Sequence, residues 1–194
     1  MGKLLLLDGH SLAYRAFYAL PTDLSTRDGT VTNAVFGFTS MLTKVLGDER
    51  PDEIAVVFDS KGPTFRDAMD EQYKAGRRAT PDLFSAQMPL IREVLDATKI
   101  PVLVVEGVEA DDVIATLATR AAAKGTDVIV VTGDRDSYQL VEDPHIKVLY
   151  NKRGVSDYAL YDEAGILERT GVTPEQYPMY AALRGDPSDN LPGV

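Results

Sequence analysis

The sequence predicts an α/β domain with a mainly parallel central sheet flanked by helices, on three observations. Short apolar runs recur along the chain at Lys3–Leu7, Ile54–Phe58, Val102–Val105 and Val128–Val131, and less sharply at Ile146–Tyr150. Segments with apolar residues at helical spacing lie between them. Acidic residues follow shortly after each of the first four runs. Strands that read as continuous apolar runs and alternate with helices are the pattern of a parallel sheet covered on both faces.

Each element has its own signal. Lys3–Leu7 is a leucine run that ends at Asp8, a first buried strand. Ala34–Leu46 places Val35, Phe38, Met41, Leu42 and Val45 on one helical face. Ile54–Phe58 is the second strand and ends at Asp59. Lys61–Pro81 then breaks the pattern: it is polar and carries Lys61, Arg66, Lys74, Arg77 and Arg78 among Phe65 and Tyr73. It reads as an excursion above the sheet, with a long solvated loop as the plainer alternative. Phe84–Leu95 and Val113–Ala123 return to helical periodicity, and further helices are expected at Glu163–Thr170 and Pro174–Leu183.

Composition removes several function classes. The 194 residues, 44% hydrophobic, suffice for one domain with a substantial core. There is no cysteine, so disulfides and thiolate metal sites are excluded, as suits a reducing cytoplasm. With only His10 and His145, a histidine-rich zinc site is not expected. No secretory leader and no apolar run of about 18 residues is present, so a cytoplasmic protein without a membrane partner is expected. The net charge of −10 argues against nucleic acid as a partner, unless the acids sit together and bind cations.

The acids do sit together. Asp8 follows the first strand and Asp59 the second; Glu109, Asp111 and Asp112 follow the third and open a helix; Asp134 and Asp136 follow the fourth; Asp186 and Asp189 lie in a loop near the end. In open α/β sheets the carboxyl ends of the strands form the ligand crevice. Nine acids from five segments thus converge on one edge. So many carboxylates cannot all stay ionised at close quarters without protons or cations among them. Hard oxygen donors without cysteine select Mg²⁺, with Mn²⁺ able to substitute. Two or more such ions can hold the attacking and leaving oxygens of a phosphate displacement. Singly, each acid has a structural reading. Glu109, Asp111 and Asp112 suit the positive end of a helix, Asp134 a helix cap, and Asp186 and Asp189 a turn. The clustering carries the signal.

Other chemistries find no support. There is no G-x-x-x-x-G-K-[ST] and no G-x-S-x-G. A phosphotransferase with an aspartate nucleophile and a second acid two residues later would need an acid where His10 stands. His10 reads instead as a local loop or helix-start residue.

At this point the residues resemble a known family. Leu7-Asp8-Gly9, Phe58-Asp59, Gly107-Val108-Glu109-Ala110-Asp111-Asp112, Thr132-Gly133-Asp134-Arg135-Asp136 and Gly185-Asp186-Pro187-Ser188-Asp189-Asn190-Leu191-Pro192-Gly193-Val194 are similar to the 5′-nuclease domains of bacterial DNA polymerase I, within the flap-endonuclease family. So are Thr64-Phe65-Arg66 and Tyr73-Lys74-Ala75-Gly76-Arg77. The resemblance spans nearly the whole chain in order.

It implies a PIN-like nuclease core with a helical arch inserted at about 61–92. The activity implied is that of a 5′→3′ exonuclease and flap endonuclease acting in replication and repair. Its partners would be DNA with a 5′ flap or 5′ end, RNA primer–DNA hybrids and a covalently linked polymerase portion, the protein being a monomer. Asp8, Asp59, Glu109, Asp111 and Asp112 would surround one metal. Asp134, Asp136, Asp186 and Asp189 would surround or support the second. Lys74, Arg77 and Arg66 would neutralise the scissile phosphate, with Lys74 and Arg77 counted as catalytic beside Asp8 and Asp134. Tyr14 would stack on a base near the cut. Lys61–Arg78, polar and holding Gly62 and Gly76, is expected to be mobile without DNA. The family continues past Gly193-Val194 into a helix–turn–helix-like element that grips duplex, so weak duplex binding is expected of residues 1–194. The alternatives are a small carboxylate-cluster ribonuclease, which lacks the basic insertion, and a catalytically inert flap-binding module, which would have lost acids.

Overall fold

A computed structural model describes residues 2–77 and 79–194. Six strands form one sheet in the order β3-β2-β1-β4-β5-β6. They are β1 (Lys3–Asp8), β2 (Glu53–Val57), β3 (Val102–Leu103), β4 (Asp127–Thr132), β5 (Ile146–Arg153) and β6 (Asp157–Tyr161). All neighbouring pairs are parallel except β5 with β6. The strand order reverses at β1, which pairs with β2 on one side and β4 on the other. Crevices open at such a switch point, outside the carboxyl ends of the strands.

The leucine run of β1 shows why the sheet is buried on both sides. Successive side chains point to opposite faces. Leu5 and Leu7 join Phe38, Met41, Ile91, Leu95 and Val131 on one face. Leu6 joins Ile114, Ala118, Val130, Tyr138 and Val148 on the other. The first face is covered by α1 (Gly9–Ala19), α2 (Asn33–Glu49) and α5 (Met88–Ala97), the second by α6 (Ala110–Ala122). The helices α7 (Glu163–Thr170) and α8 (Tyr177–Arg184) follow the sheet and bury Ile166 and Tyr177. Gly37 lets α1 and α2 close together, because a Cβ there would stand 2.7 Å from that of Ala16.

The structure departs from the expected elements in four places. Strand β3 has two residues rather than four, since Val104 and Val105 are exposed. An antiparallel edge strand, β6, is present where none is expected. Helix α1 runs straight on from Asp8, where the expectation is no more than a helix start at His10. The helix expected over Phe84–Leu95 is a short turn of helix α4 (Asp82–Ser85) followed by α5.

Gln87, at the break between them, is buried. Its Oε1 accepts from Ala34 N (2.8 Å) and its Nε2 donates to Asn33 Oδ1 (2.9 Å). Asn33 Nδ2 donates in turn to the carbonyls of Phe17 and Leu20. These bonds and the buried Phe84 and Ile91 fasten 84–91 to the core. The segment standing off the core is therefore shorter than 61–92 and ends near Pro81. Its described residues hold one short helix, α3 (Phe65–Met69), closed by a capping box between Thr64 and Asp67. Arg78 lies outside the described residues. No helix among the described residues is long and apolar enough to cross a membrane.

Candidate functional site

At the carboxyl ends of β1, β2 and β4 lies an open cleft of about 730 Å³. Its walls include all nine acids singled out in the sequence, together with Tyr14, Arg66, Lys74 and Arg77. Asp8 ends β1, and its Oδ1 accepts from Ser11 N (3.0 Å), capping α1. Its Oδ2 accepts from Thr132 Oγ1 (3.0 Å), which ties β1 to β4. Thr132 Oγ1 also accepts from Asp134 N (3.0 Å), and Asp134 Oδ1 accepts from Asp136 N (2.9 Å). The turn after β4 is thus shaped so that both aspartates face the cleft.

Several acids have the structural employment that each admits singly. Glu109 and Asp112 form a reciprocal capping box at the start of α6, where the helix end favours negative charge. Asp186 accepts from Ser188 N (2.8 Å) and Ser188 Oγ (2.7 Å) in its turn. Asp59 accepts from Ala110 N (2.8 Å). Asp111 also stands in the first turn of α6, but its Oδ1 is buried without a hydrogen-bond partner.

The electrostatics follow from that geometry. Burial, followed by the charges of Asp8, Asp134, Asp59 and Glu109, pushes Asp111 up to about 8. Burial raises Asp8 to about 6, against the opposing bonds from Ser11 and Thr132. Burial and the charges of Asp134, Asp186 and Asp189 raise Asp136 to about 6. Asp59 moves the other way. Its burial alone would raise it, but bonds from His10 and Ala110 and the nearby Lys74 hold it below the usual range. Asp112 is held low chiefly by Arg66.

Arg66, Lys74 and Arg77 of the 61–81 segment line the cleft, while Lys61 is exposed outside it. Arg66 binds Asp112 through both terminal nitrogens, at 2.6 and 2.8 Å. Lys74 Nζ meets Glu109 Oε1 at 2.7 Å. Arg77 pairs with Asp189, with Nε at 3.1 Å. The Tyr73 hydroxyl lies within reach of Glu109 and Asp189, at 3.2 and 3.3 Å, and donates its one hydrogen between them. Asn190 Nδ2 donates to Gln72 O (2.9 Å), joining the segment to the loop that carries Asp186 and Asp189. The segment expected to be mobile is thus tethered by ion pairs to the cleft it overhangs. Tyr14 also does more than line the cleft. It stacks on Phe84 at 4.0 Å and bonds Thr80 Oγ1 through its hydroxyl at 3.0 Å.

The residues fit divalent cations in donor type and charge. Buried carboxylates raised by one another, and an orphaned carboxylate oxygen in their midst, are what a hard cation relieves. No group of three or more His, Cys, Asp or Glu among the described residues is yet drawn close enough to hold an ion. Glu109, Asp112 and Asp189 are paired with Lys74, Arg66 and Arg77, so a bound cation must compete with these bases for them.

Sequence reasoning missed the parts played by His10 and Ser11, which line the cleft, and by Thr132, buried beneath it. His10 Nδ1 lies 3.0 Å from Asp59 Oδ2 and 3.2 Å from Asp59 N. One nitrogen serves only one of these at a time, donating to the carboxylate or accepting from the amide; which it does follows the tautomer. His10 is therefore a partner of an acid in the cleft, beyond the local helix-start residue expected. Thr132 and Ser11 hold β1 to the β4 turn: Ser11 Oγ accepts from Gly133 N at 2.8 Å. The signal for His10 was its place two residues after Asp8, but its partner is 49 residues away.

The model of a family described as "5′-3′ exonuclease, N-terminal resolvase-like domain" matches residues 3–171. The chain is 55% identical over 192 residues to DNA polymerase I of Mycobacterium bovis and 48% identical over 192 residues to DNA polymerase I of Bacillus caldotenax. These matches take in 98% and 99% of the chain but 21% and 22% of the relatives, so the chain spans about a fifth of their length. Among solved structures, the T5 D15 protein co-crystallised with metal ions superposes with a TM-score of 0.76 at 20% identity, over 99% of this chain and 70% of that one. That likeness is one of fold.

Proposed function

Because the chain belongs to the 5′-3′ exonuclease N-terminal, resolvase-like domain family, we propose that its acidic cleft is the active site of a structure-specific 5′ nuclease. It hydrolyses phosphodiesters at 5′ ends and 5′ flaps of DNA, and at RNA primers paired to DNA, with two or more divalent cations, Mg²⁺ first among them. By the same likeness we assign a polymerase portion as its covalent partner and replication and repair as its setting. The carrying observation is that nine acids from five separate segments line one cleft together with Arg66, Lys74 and Arg77.

The division of labour follows from charge. Asp8, Asp59, Glu109, Asp111 and Asp112 would hold one cation, and Asp134, Asp136, Asp186 and Asp189 would hold or support the other. Bound there, the cations supply an activated water and neutralise charge on the leaving oxygen. Lys74, Arg77 and Arg66, released from their carboxylates, neutralise the phosphate that the acids alone would repel. Tyr14, backed by Phe84, offers a ring for a base beside the cut. No side-chain nucleophile is required. Thr132, Ser11 and His10 position acids.

The test is cleavage of a 5′-flap duplex, compared with single-stranded RNA, in Mg²⁺ and in chelator. Release of the flap in Mg²⁺, lost in chelator and faster than RNA hydrolysis, is expected. Undiminished cleavage in chelator rules the reading out. Preference for single-stranded RNA would make the protein a ribonuclease, and binding without cleavage an inert module.

A further inference from the structure

A second groove opens from the cleft where the two share Ser11, Tyr14 and Gly133. Its remaining lining is Arg15, Tyr18 and Ala19 of α1 with Arg153 and Gly154 at the β5–β6 turn. Its character is opposite to that of the cleft, because its walls hold no acid. Arg15 Nη2 donates to the carbonyl of Asn151 (3.3 Å) and lies against the Gly133 turn, so a guanidinium stands where the cleft meets the groove. Among the described residues neither Arg15 nor Arg153 is ion-paired, although Asp157 stands opposite Arg153 in the β5–β6 ladder. Arg66, Lys74 and Arg77 are all paired. In a chain of net charge −10, two free guanidiniums facing one groove mark it for an anion.

The groove also presents an aromatic surface. Tyr18 is 70% exposed, and its ring lies nearly parallel to that of Tyr14, with centroids 6.2 Å apart and 9° between planes. Tyr14 is backed by Phe84, whose ring is buried. A large exposed ring in register with a second, beside unpaired guanidiniums, combines the two features that bind single strands. Bases stack on aromatics, and phosphates meet arginine.

We propose that this groove is a second subsite for a nucleic-acid strand. Unpaired nucleotides leaving the acidic cleft continue past Tyr14, stack on Tyr18 and place phosphates against Arg15 and Arg153. The subsite rests on the nuclease reading for the class of its ligand, but not for its own geometry. It makes affinity grow with the length of the unpaired strand, and its lining, mostly from α1, includes none of Arg66, Lys74 and Arg77.

The test is fluorescence anisotropy with single-stranded oligothymidylates of about 3 and about 10 nucleotides, in Ca²⁺, with the oligonucleotides checked intact afterwards. The protein variants are wild type, Tyr18→Ala, Arg153→Ala and Arg153→Glu. Both side chains are exposed, so the fold is not at stake. Wild type should bind the longer strand at least tenfold more tightly than the shorter. Tyr18→Ala and Arg153→Ala should remove most of that increment, a loss of roughly 5- to 50-fold, while affinity for the short strand stays unchanged. Arg153→Glu should lose more than Arg153→Ala. The salt dependence of long-strand binding should flatten by about 0.7 in slope for Arg153→Ala, one phosphate contact's worth. Wild-type affinity independent of length, or variants that match wild type on the long strand, would overturn the subsite. A length increment that these variants abolish in a protein that cuts no flap would uphold the groove and sink the nuclease reading.

Discussion

Replacing Asp111 by Asn should stabilise the metal-free protein while abolishing its activity. Asp111 is held up to about 8 from its ordinary 3.8 by burial and by four neighbouring acids, and one of its oxygens has no partner. A carboxyl with a raised folded value binds its proton more tightly in the folded state. Below about pH 4 both states are protonated and nothing is lost. Between about 4 and 8 the unfolded chain ionises while the folded one keeps its proton, so stability falls as pH rises and levels off above 8. At pH 7 the gap from 3.8, at roughly 1.4 kcal/mol per pH unit, sets a ceiling of about 4 kcal/mol. Asn has nearly the same shape and never ionises. Its buried amide keeps a desolvation cost of its own, so a gain of about 1–3 kcal/mol is expected. For a chain of this length that is roughly 2–12 °C in Tm. The assay is thermal unfolding in EDTA at pH 5, 7 and 8.5. The gain of Asp111→Asn over wild type should grow across that series. Adding Mg²⁺ should stabilise wild type by RT ln(1 + [Mg²⁺]/Kd) and the variant much less, narrowing or reversing the order. A variant no more stable than wild type in EDTA, with a difference independent of pH, would refute the argument that unrelieved charge is stored at this site.

Asp134→Asn should leave the fold intact and lower kcat by about 10³-fold or more, measured on a 5′-flap duplex at saturating Mg²⁺; a near-normal rate would remove Asp134 from the metal-binding set. His10→Ala should weaken Mn²⁺ binding by about 10-fold in calorimetry, because Asp59 loses the ring that orients it, and His10→Asn should restore part of it; equal affinity in all three proteins would make the contact incidental. Lys74→Ala should cut flap cleavage by roughly 10²-fold and leave Mn²⁺ affinity the same or higher, since Glu109 is freed of its partner; weaker metal binding would contradict the competition between base and cation. Phe84→Ala should cost about 3–4 kcal/mol of stability in denaturant unfolding, as a buried ring in contact with Phe17 and Tyr14 is lost; a cost under about 1 kcal/mol would place 84–91 outside the core.

Much of this architecture is legible in the order of the amino acids. β1, β2 and β4 are buried on both faces, so each is a plain apolar run, and the acids that follow them are marked by position alone. Helix α7 is legible at both ends, because Asp162 caps it and Gly171 takes the left-handed conformation that stops it. The parts that are not legible depend on partners far along the chain. Val102–Val105 has the composition of a strand, yet its pairing with β2 stops at Leu103. Edge strand β6 is only half-buried, and Asp157-Tyr158-Ala159-Leu160-Tyr161 carries no run to mark it. Gln87 looks like a surface residue within a helix, and only the approach of Asn33, 54 positions earlier, makes its burial possible. The order of amino acids marks a carboxylate-rich edge and seven of its acids by their places after strands, whereas Asp186 and Asp189, in the loop after α8, carry no such mark. Which base meets which acid, that Asp111 Oδ1 is left without a partner, and that His10 faces Asp59 emerge only when the chain is folded. Those relations join residues 35 to 112 positions apart, and no local periodicity encodes which side chains a folded cleft brings within hydrogen-bond reach.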